Sequence, residues 1–351
     1  MSKFNIDGHK MLYHLDRVHQ WQQGDACRVF PIYIEVSPVG YCNHRCSFCA
    51  VDYLEYKQVR LDTQILKNNL MSMGNSGVRS VMFAGEGEPL LHPNIAELIV
   101  YASKSLMDVA VTTNGVPMSK SFSDRALEAL TWIKISCNAG DAETYAKIHG
   151  CKESDWTRVW KNIDYAVRLR DRLGLKTTIG VQAVLLPDNA KSMNALAHQC
   201  KVTGVDYLVV KPYSQHTSSI THEYEDIMYE ESYDKYLNAL SMYASSKFEI
   251  ITRHDTMKDW DDKTRGYDTC LSVPYFWAYV MANGDVYTCS AYLGDDRFNI
   301  GNINKNTFHR IWIERPLTVV KTDECRQNCR MHHINKFLWN ITHTREHKNF
   351  I

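Results

Sequence analysis

Short apolar runs alternate with longer stretches whose apolar residues recur at helical spacing, beginning at about residue 31. Residues 31–37 read as a strand and 62–75 as a helix. The pattern then predicts a buried strand at 79–84, a helix at 93–105 and a strand at 108–113. A helix near 122–130, a strand at 132–136, a long helix at 156–173 and a strand at 176–186 follow. Residues 189–203 are helical in pattern, and 207–211 form a sixth strand. Strands alternating with helices imply βαβ units and a parallel sheet. Runs such as 207–210 suit strands covered on both faces.

The texture changes after about residue 213. Aromatic and charged residues dominate 213–262, with a helix expected around 226–246 and a strand at 248–253. Beyond Tyr267 the pattern is loop and hairpin: 276–282 and 285–290 flank Asn283-Gly284, a strong two-residue turn signal. Residues 306–321 read as an amphipathic helix, and the His-rich tail from His332 as a solvated surface. No repeat or low-complexity segment interrupts the chain.

Composition narrows the classes. The 351 residues are 44% hydrophobic and 23% charged, with a formal net charge of zero, an ordinary globular balance. No strong basic field argues for nucleic acid. No apolar run reaches the roughly 18 residues of a membrane span. The first ten residues lack the apolar core of a signal peptide, so the cytosol is the expected compartment. Eleven cysteines in such a setting point to metal or redox chemistry rather than disulfides. Cys27, Cys137, Cys151 and Cys200 stand apart and read as small hydrophobes.

Cys42, Cys46 and Cys49 form a CxxxCxxC run, with Phe48 just before the last cysteine. Three thiolates at this spacing can bind three irons of a four-iron cluster and leave the fourth open. A structural zinc ion would need a fourth ligand from elsewhere, and His44 lies inside the turn. The run resembles the signature of the radical S-adenosylmethionine (SAM) superfamily. That resemblance covers about residues 31–335. It implies an α/β fold, a partial (β/α)6 TIM-like barrel, with ligands gathered at the C-terminal ends of the strands.

Further motifs fall at those ends. Gly85-Glu86-Gly87-Glu88-Pro89 resembles the Gly-Gly-Glu-Pro element that meets the SAM amino group, with Glu86 as a departure. Thr113 and Asn114, in Thr-Thr-Asn-Gly, lie where the resemblance implies SAM and substrate. Ser136 and Asn138 correspond to ribose contacts, Gln182 is a candidate for the adenosine, and Phe48 for packing beside the adenine. The resemblance implies reductive cleavage of SAM to methionine and a 5′-deoxyadenosyl radical, which abstracts a substrate hydrogen. A flavodoxin- or ferredoxin-type donor is the expected electron source.

Cys270, Cys289 (preceded by Gly-x4), Cys325 and Cys329 resemble the SPASM or twitch extension. Four cysteines are fewer than the full SPASM form carries, so one auxiliary four-iron cluster is expected, with zinc the alternative. The expected cofactors are therefore SAM and two 4Fe–4S clusters. The implied domains are an extension at 1–30, the barrel at 31–255, the cluster domain at 256–335 and a tail at 336–351.

Substrate class is read from the sixth strand's end. Lys211, Tyr213, Gln215 and His216 offer hydrogen bonds suited to a small hydroxylated molecule, such as a sugar, aminocyclitol or sugar nucleotide. Oxidation, with the auxiliary cluster as electron acceptor, is the leading expectation. A peptide maturase and an epimerase are the other enzyme readings; the last would need a hydrogen donor such as Cys151 or Cys137. A zinc-bearing scaffold is the non-enzyme alternative.

Overall fold

The computed structural model describes Phe4, Ile6 and residues 8–24, 28–229, 233–262, 265–323, 325, 329–343, 346, 347 and 349. Its centre is one ten-stranded sheet. In chain order the strands are β1 (Tyr33–Val36), β2 (Ser80–Phe83), β3 (Asp108–Thr113), β4 (Trp132–Ser136), β5 (Thr178–Val184), β6 (Tyr207–Lys211), β7 (Glu249–Thr252), β8 (Trp277–Val280), β9 (Asp285–Tyr287) and β10 (Asn299–Asn302). The spatial order is β10-β9-β8-β1-β2-β3-β4-β5-β6-β7.

β1 to β7 are parallel and each advances one place. Parallel neighbours need crossovers, which the helices Thr63–Asn75, Ile95–Lys104, Lys120–Ala126, Glu153–Leu173 and Met193–Thr203 supply. Their ends are written in the sequence. Asp62 caps the first helix, accepting from the Gln64 and Ile65 amides. Gly174 and Gly204 close two others in the left-handed conformation that glycine tolerates.

Strand alternation sorts the side chains. Ile34, Val36, Val81, Phe83, Val109, Val111, Ile133, Ile135, Val181, Leu208 and Val210 pack with the helices in the main core. The opposite face turns inward: Tyr33, Met82, Ala110 and Trp132 form one cluster there, and Tyr207, Val209 and Ile251 another. Gly180 is required at this face, because a Cβ would lie 2.1 Å from the Tyr207 ring. Phe4 and Ile6 cover the Tyr207 cluster from below.

The six expected strands are present and β7 extends the parallel series. The helix expected at 226–246 is shorter, Asp234–Leu240, and residues 230–232 lie outside the described set. A second helix in the β4–β5 crossover, Ala142–His149, had no clear signal. The helix of 306–321 is Phe308–Glu314.

The C-terminal hairpin does not stand apart. β8 pairs in parallel with β1, while β9 and β10 add antiparallel strands. The tail also differs from expectation. His332–Thr342 is a helix that buries His332, Asn335 and Leu338, because its apolar stripe packs against Met11, Val18 and Phe276. Among the described residues no helix is long and apolar enough to cross a membrane.

Candidate functional site

The loop after β1 carries Cys42, Cys46 and Cys49, all half-buried. It is pinned from several sides. The Arg45 and Ser47 amides donate to the carbonyls of His149 and Ile148. Asp52, buried, accepts from the Ser219 hydroxyl, the Ile220 and Thr221 amides and the Thr221 hydroxyl, all at 2.9–3.0 Å. Burial would raise the Asp52 carboxyl, but these bonds outweigh it and hold it below the ordinary range. Asp52 thereby ties the cysteine loop to the loop after β6.

Burial pushes the cysteine thiols upward, Cys42 to about 12, with Glu88 adding to the effect. Cys46 and Cys49 shift the same way. Thiolates are favoured here only if a cation compensates them, the condition of a metal-cluster ligand.

The sulfurs also receive hydrogen bonds. The His44 amide donates to Cys42 Sγ at 3.4 Å. His149 is fully buried and kept neutral, first by burial and then by His44. The Asn138 amide donates to its Nε2 at 3.3 Å, so the proton belongs on Nδ1, which lies 3.5 Å from Cys46 Sγ. His149 therefore donates to a cysteine sulfur. Donors to cluster sulfurs tune reduction potential. His44 lies with Cys46 and His149 within 4.8 Å, as three potential ligand atoms. Its Nε2 is engaged by Asp155 at 3.3 Å.

The turns after β2 and β3 are locked together. Glu88 is buried and accepts from the Leu90 amide, the Thr113 hydroxyl (2.6 Å) and the Asn114 amide (2.7 Å). Burial raises its carboxyl to about 7. Its carboxylate is thus occupied within the protein, which leaves the backbone of this turn for an ammonium group. Gly87 is obligatory, since a Cβ would lie 2.2 Å from the Tyr41 carbonyl, and Pro89 opens the short helix that follows. Asn114 Nδ2 donates to Asn43 at 2.8 Å, joining this turn to the cysteine loop.

Glu86 has a separate task. Its Oε1 accepts from the Ala282 amide at 2.9 Å, in the β8–β9 turn. The departure from a glycine pair is a strap to the C-terminal region.

Ser136 and Gln182 sit in register on β4 and β5, on the inner face. Asn138 is fully buried; its Oδ1 accepts from the Val184 amide at 2.6 Å and its Nδ2 meets His149, so its side chain is spent on the fold. Phe48 stands edge-on to His149, centroids 5.6 Å apart.

Lys211 ends β6 in register with Val184 and lies half-buried. Its three partners in the substrate reading are built into the loop instead. Tyr213 is 1% exposed and donates to Gln215 at 2.5 Å; Gln215 donates to the carbonyls of His216 and Thr221. His216 stacks on Tyr53 and bonds the Ala291 carbonyl at 3.0 Å. Cys137 is fully buried in the helix-side core, so it faces away from the inner surface where a hydrogen donor would act. Cys151 lies beside His44 and Asp155. Cys200 is buried in the core, and Cys27 lies outside the described residues.

The second group assembles from distant segments. Cys270 follows the bridge Thr269–Lys321, Cys289 follows β9, and Cys325 and Cys329 precede the last helix. The Cys325 thiol is raised first by its hydrogen bond with Cys329, then by burial. The Ala291 and Met331 amides donate to Cys289 and Cys329 at 3.4 Å, the same two-residue geometry as His44 to Cys42. Asn335 Nδ2 donates to Cys270 at 3.3 Å.

Comparison with known proteins agrees with this geometry. A model of the radical SAM superfamily matches residues 36–199, and a model of the SPASM iron–sulfur cluster-binding domain matches 270–331. A GTP 3′,8-cyclase of Microcystis aeruginosa is 30% identical over 146 residues, 39% of this chain and 44% of that enzyme. The chain thus spans under half the length of this relative. Among solved structures, Streptococcus suis SuiB bound to precursor peptide SuiA aligns with a TM-score of 0.64 and 18% identity, covering 88% of this chain and 70% of that one. anSMEcpe with bound AdoMet and Kp18Cys peptide aligns at 0.57 and 18%, covering 81% of each. At these identities the likeness is one of fold.

Proposed function

The chain belongs to the radical SAM superfamily and carries a SPASM domain, and from that premise we propose a division of labour between its two cysteine sites. As a radical SAM enzyme it uses SAM and a 4Fe–4S cluster, and its SPASM domain binds auxiliary iron–sulfur chemistry. Cys42, Cys46 and Cys49 hold the SAM-binding cluster, and Cys270, Cys289, Cys325 and Cys329 the auxiliary one. The bound cofactors together supply a 5′-deoxyadenosyl radical able to abstract hydrogen from an unactivated carbon.

The chain's own residues do the rest. Gly87 lets the turn backbone approach SAM, Thr113 and Asn114 are fixed by Glu88, and Phe48, Ser136 and Gln182 line the nucleoside side. Asn138 positions His149, and His149 donates to Cys46. Phe4 and Ile6 cover the Tyr207, Val209 and Ile251 part of the inner face, which limits water on that side of the site.

The substrate reading favoured is a peptide, whose oxidation passes one electron to the auxiliary site. The single observation carrying the reaction type is the second set of four cysteines with hydrogen-bonded sulfurs. The peptide reading draws support from SuiB and anSMEcpe, each solved with a peptide. The small hydroxylated substrate loses its basis, because Tyr213, Gln215 and His216 are engaged by the protein. A cytoplasmic setting and a flavodoxin- or ferredoxin-type donor complete the reading.

The test is anaerobic turnover with SAM, a strong reductant, and either a peptide pool or a pool of sugars and aminocyclitols. The expected result is 5′-deoxyadenosine together with a peptide lighter by two hydrogen atoms. A changed sugar with no changed peptide would overturn the substrate class.

A further inference from the structure

Three cations lie toward the inner face of the sheet and act on one another electrostatically. Lys134 sits mid-β4, in register with Thr112 and Gly180. Its neighbours Ile133 and Ile135 are fully buried on the helix side, so alternation turns Lys134 inward. Its Nζ lies 5.3 Å from the Trp132 ring centre. Among the described residues it makes no hydrogen bond or ion pair.

Arg330 reaches the same space from the C-terminal region. It pairs with Glu35 on β1 and lies 6.0 Å from the Trp277 ring centre. Glu35 is 6% exposed while the Arg330 side chain keeps 41%. Arg253 follows β7, two residues beyond the inward Ile251. Burial, then the charges of Arg330 and Arg253, lower Lys134 to about 8, with Glu35 opposing them.

Trp132, beside Lys134, and Trp277, near Arg330, both line a cavity of about 310 Å³, together with Tyr33 and Ala110; the cations themselves stand outside its lining. Trp277 is 1% exposed, and its indole N–H has no acceptor among the described residues. Buried donors without acceptors are rare in folded proteins and call for a partner. Here Lys134 and Trp277 both donate, and two guanidiniums add charge.

We propose that Lys134, Arg253 and Arg330, with the Trp277 N–H, form an anion-binding floor of the barrel that receives a carboxylate or phosphate group of the substrate. The guanidinium plane suits the paired oxygens of such a group. Anchoring one end of the substrate there fixes the distance of its reacting carbon from the strand ends above. The inference rests on the reading that substrate enters the barrel, but not on peptide chemistry.

The experiment uses the cluster-loaded protein, anaerobic and without SAM or reductant. Glutarate and inorganic pyrophosphate are titrated by calorimetry at ionic strength matched with sodium chloride. Saturable binding of one or both is expected. Lys134→Met should weaken it about tenfold or more, while Lys191→Met, at an exposed lysine, leaves it unchanged. No saturable binding of either probe, or equal affinity in Lys134→Met, overturns the proposal.

A second measurement avoids the variant. Acetic anhydride labelling, followed by mass spectrometry, should find Lys134 protected by the bound probe and Lys191 not; equal labelling overturns the floor. Binding of pyrophosphate alone would keep the floor and count against a peptide substrate. Absence of SAM cleavage would sink the reaction assigned above and leave these binding results standing, so the two failures are distinguishable.

Discussion

The two cysteine sites solve the same problem at different scales. The first is proposed to compress three ligands into eight residues of one loop, and the rest of the molecule holds that loop: Ile148 and His149 meet it from the β4–β5 crossover, and residues 219–221 reach Asp52 just beyond it. The second draws four ligands from segments spanning residues 270 to 329 and is itself a tertiary assembly. Both use backbone amides two residues on as donors to sulfur. In the proposed assignment the local site leaves a coordination position for chemistry, and the distributed one closes its ligand set, which suits electron transfer.

The sharpest way to break this comparison is to remove the first site alone. Cys42→Ala, Cys46→Ala and Cys49→Ala together should abolish 5′-deoxyadenosine formation while about four irons remain, measured by iron analysis and product chromatography. An iron-free protein would mean that the second group holds no cluster.

The reverse experiment has the next largest effect. Cys325→Ala should spare SAM binding and its reductive cleavage but cut oxidised product about tenfold or more. Loss of SAM binding in this variant would show that the two cysteine groups are not separate sites.

His149 sharpens the picture of the local site. Replacing it with Phe keeps a buried ring and removes the donor to Cys46. The reduction potential of the SAM-binding cluster should fall, because a donor to sulfur favours the reduced, more negative state. SAM cleavage should slow by about tenfold. An unchanged potential in a redox titration would make His149 a packing residue only.

How much of this was legible follows from how local each feature is. The parallel strands are readable because an apolar run and its flanking helices are contiguous, and the superfamily is readable because CxxxCxxC is one peptide. Asn335 escaped notice because its bond to Cys270 spans a tail whose histidines suggested solvent. His149 escaped because its partners Cys46 and Asn138 meet it only after the β4–β5 crossover folds. Lys134 reads in Trp-Ile-Lys-Ile-Ser as an ordinary polar alternation, and nothing local says that the polar face is an interior. Tyr213, Gln215 and His216 failed as substrate residues for the opposite reason: a polar loop satisfies itself when its own side chains are near enough.

The link between the two regions gives the smallest effect, through Glu86. Its carboxylate ties the turn after β2 to the Ala282 amide, and burial raises it to about 7 from an ordinary 4.5. A folded-state value above the unfolded one means the native protein binds the proton more tightly. The resulting stability is fully present below about pH 4.5 and is lost as pH rises through about 7. The shift corresponds to about 3 kcal/mol across that window. Glu86→Gln keeps an acceptor for Ala282 but cannot ionise, so its unfolding free energy should fall less between pH 5 and 8. Glu88 is raised in the same direction, so the variant should lose only part of the slope. Urea midpoints for both proteins across this range decide the matter: parallel curves would mean that Glu86 titrates alike in the folded and unfolded protein, and that the strap between barrel and C-terminal region is already ionised at pH 5.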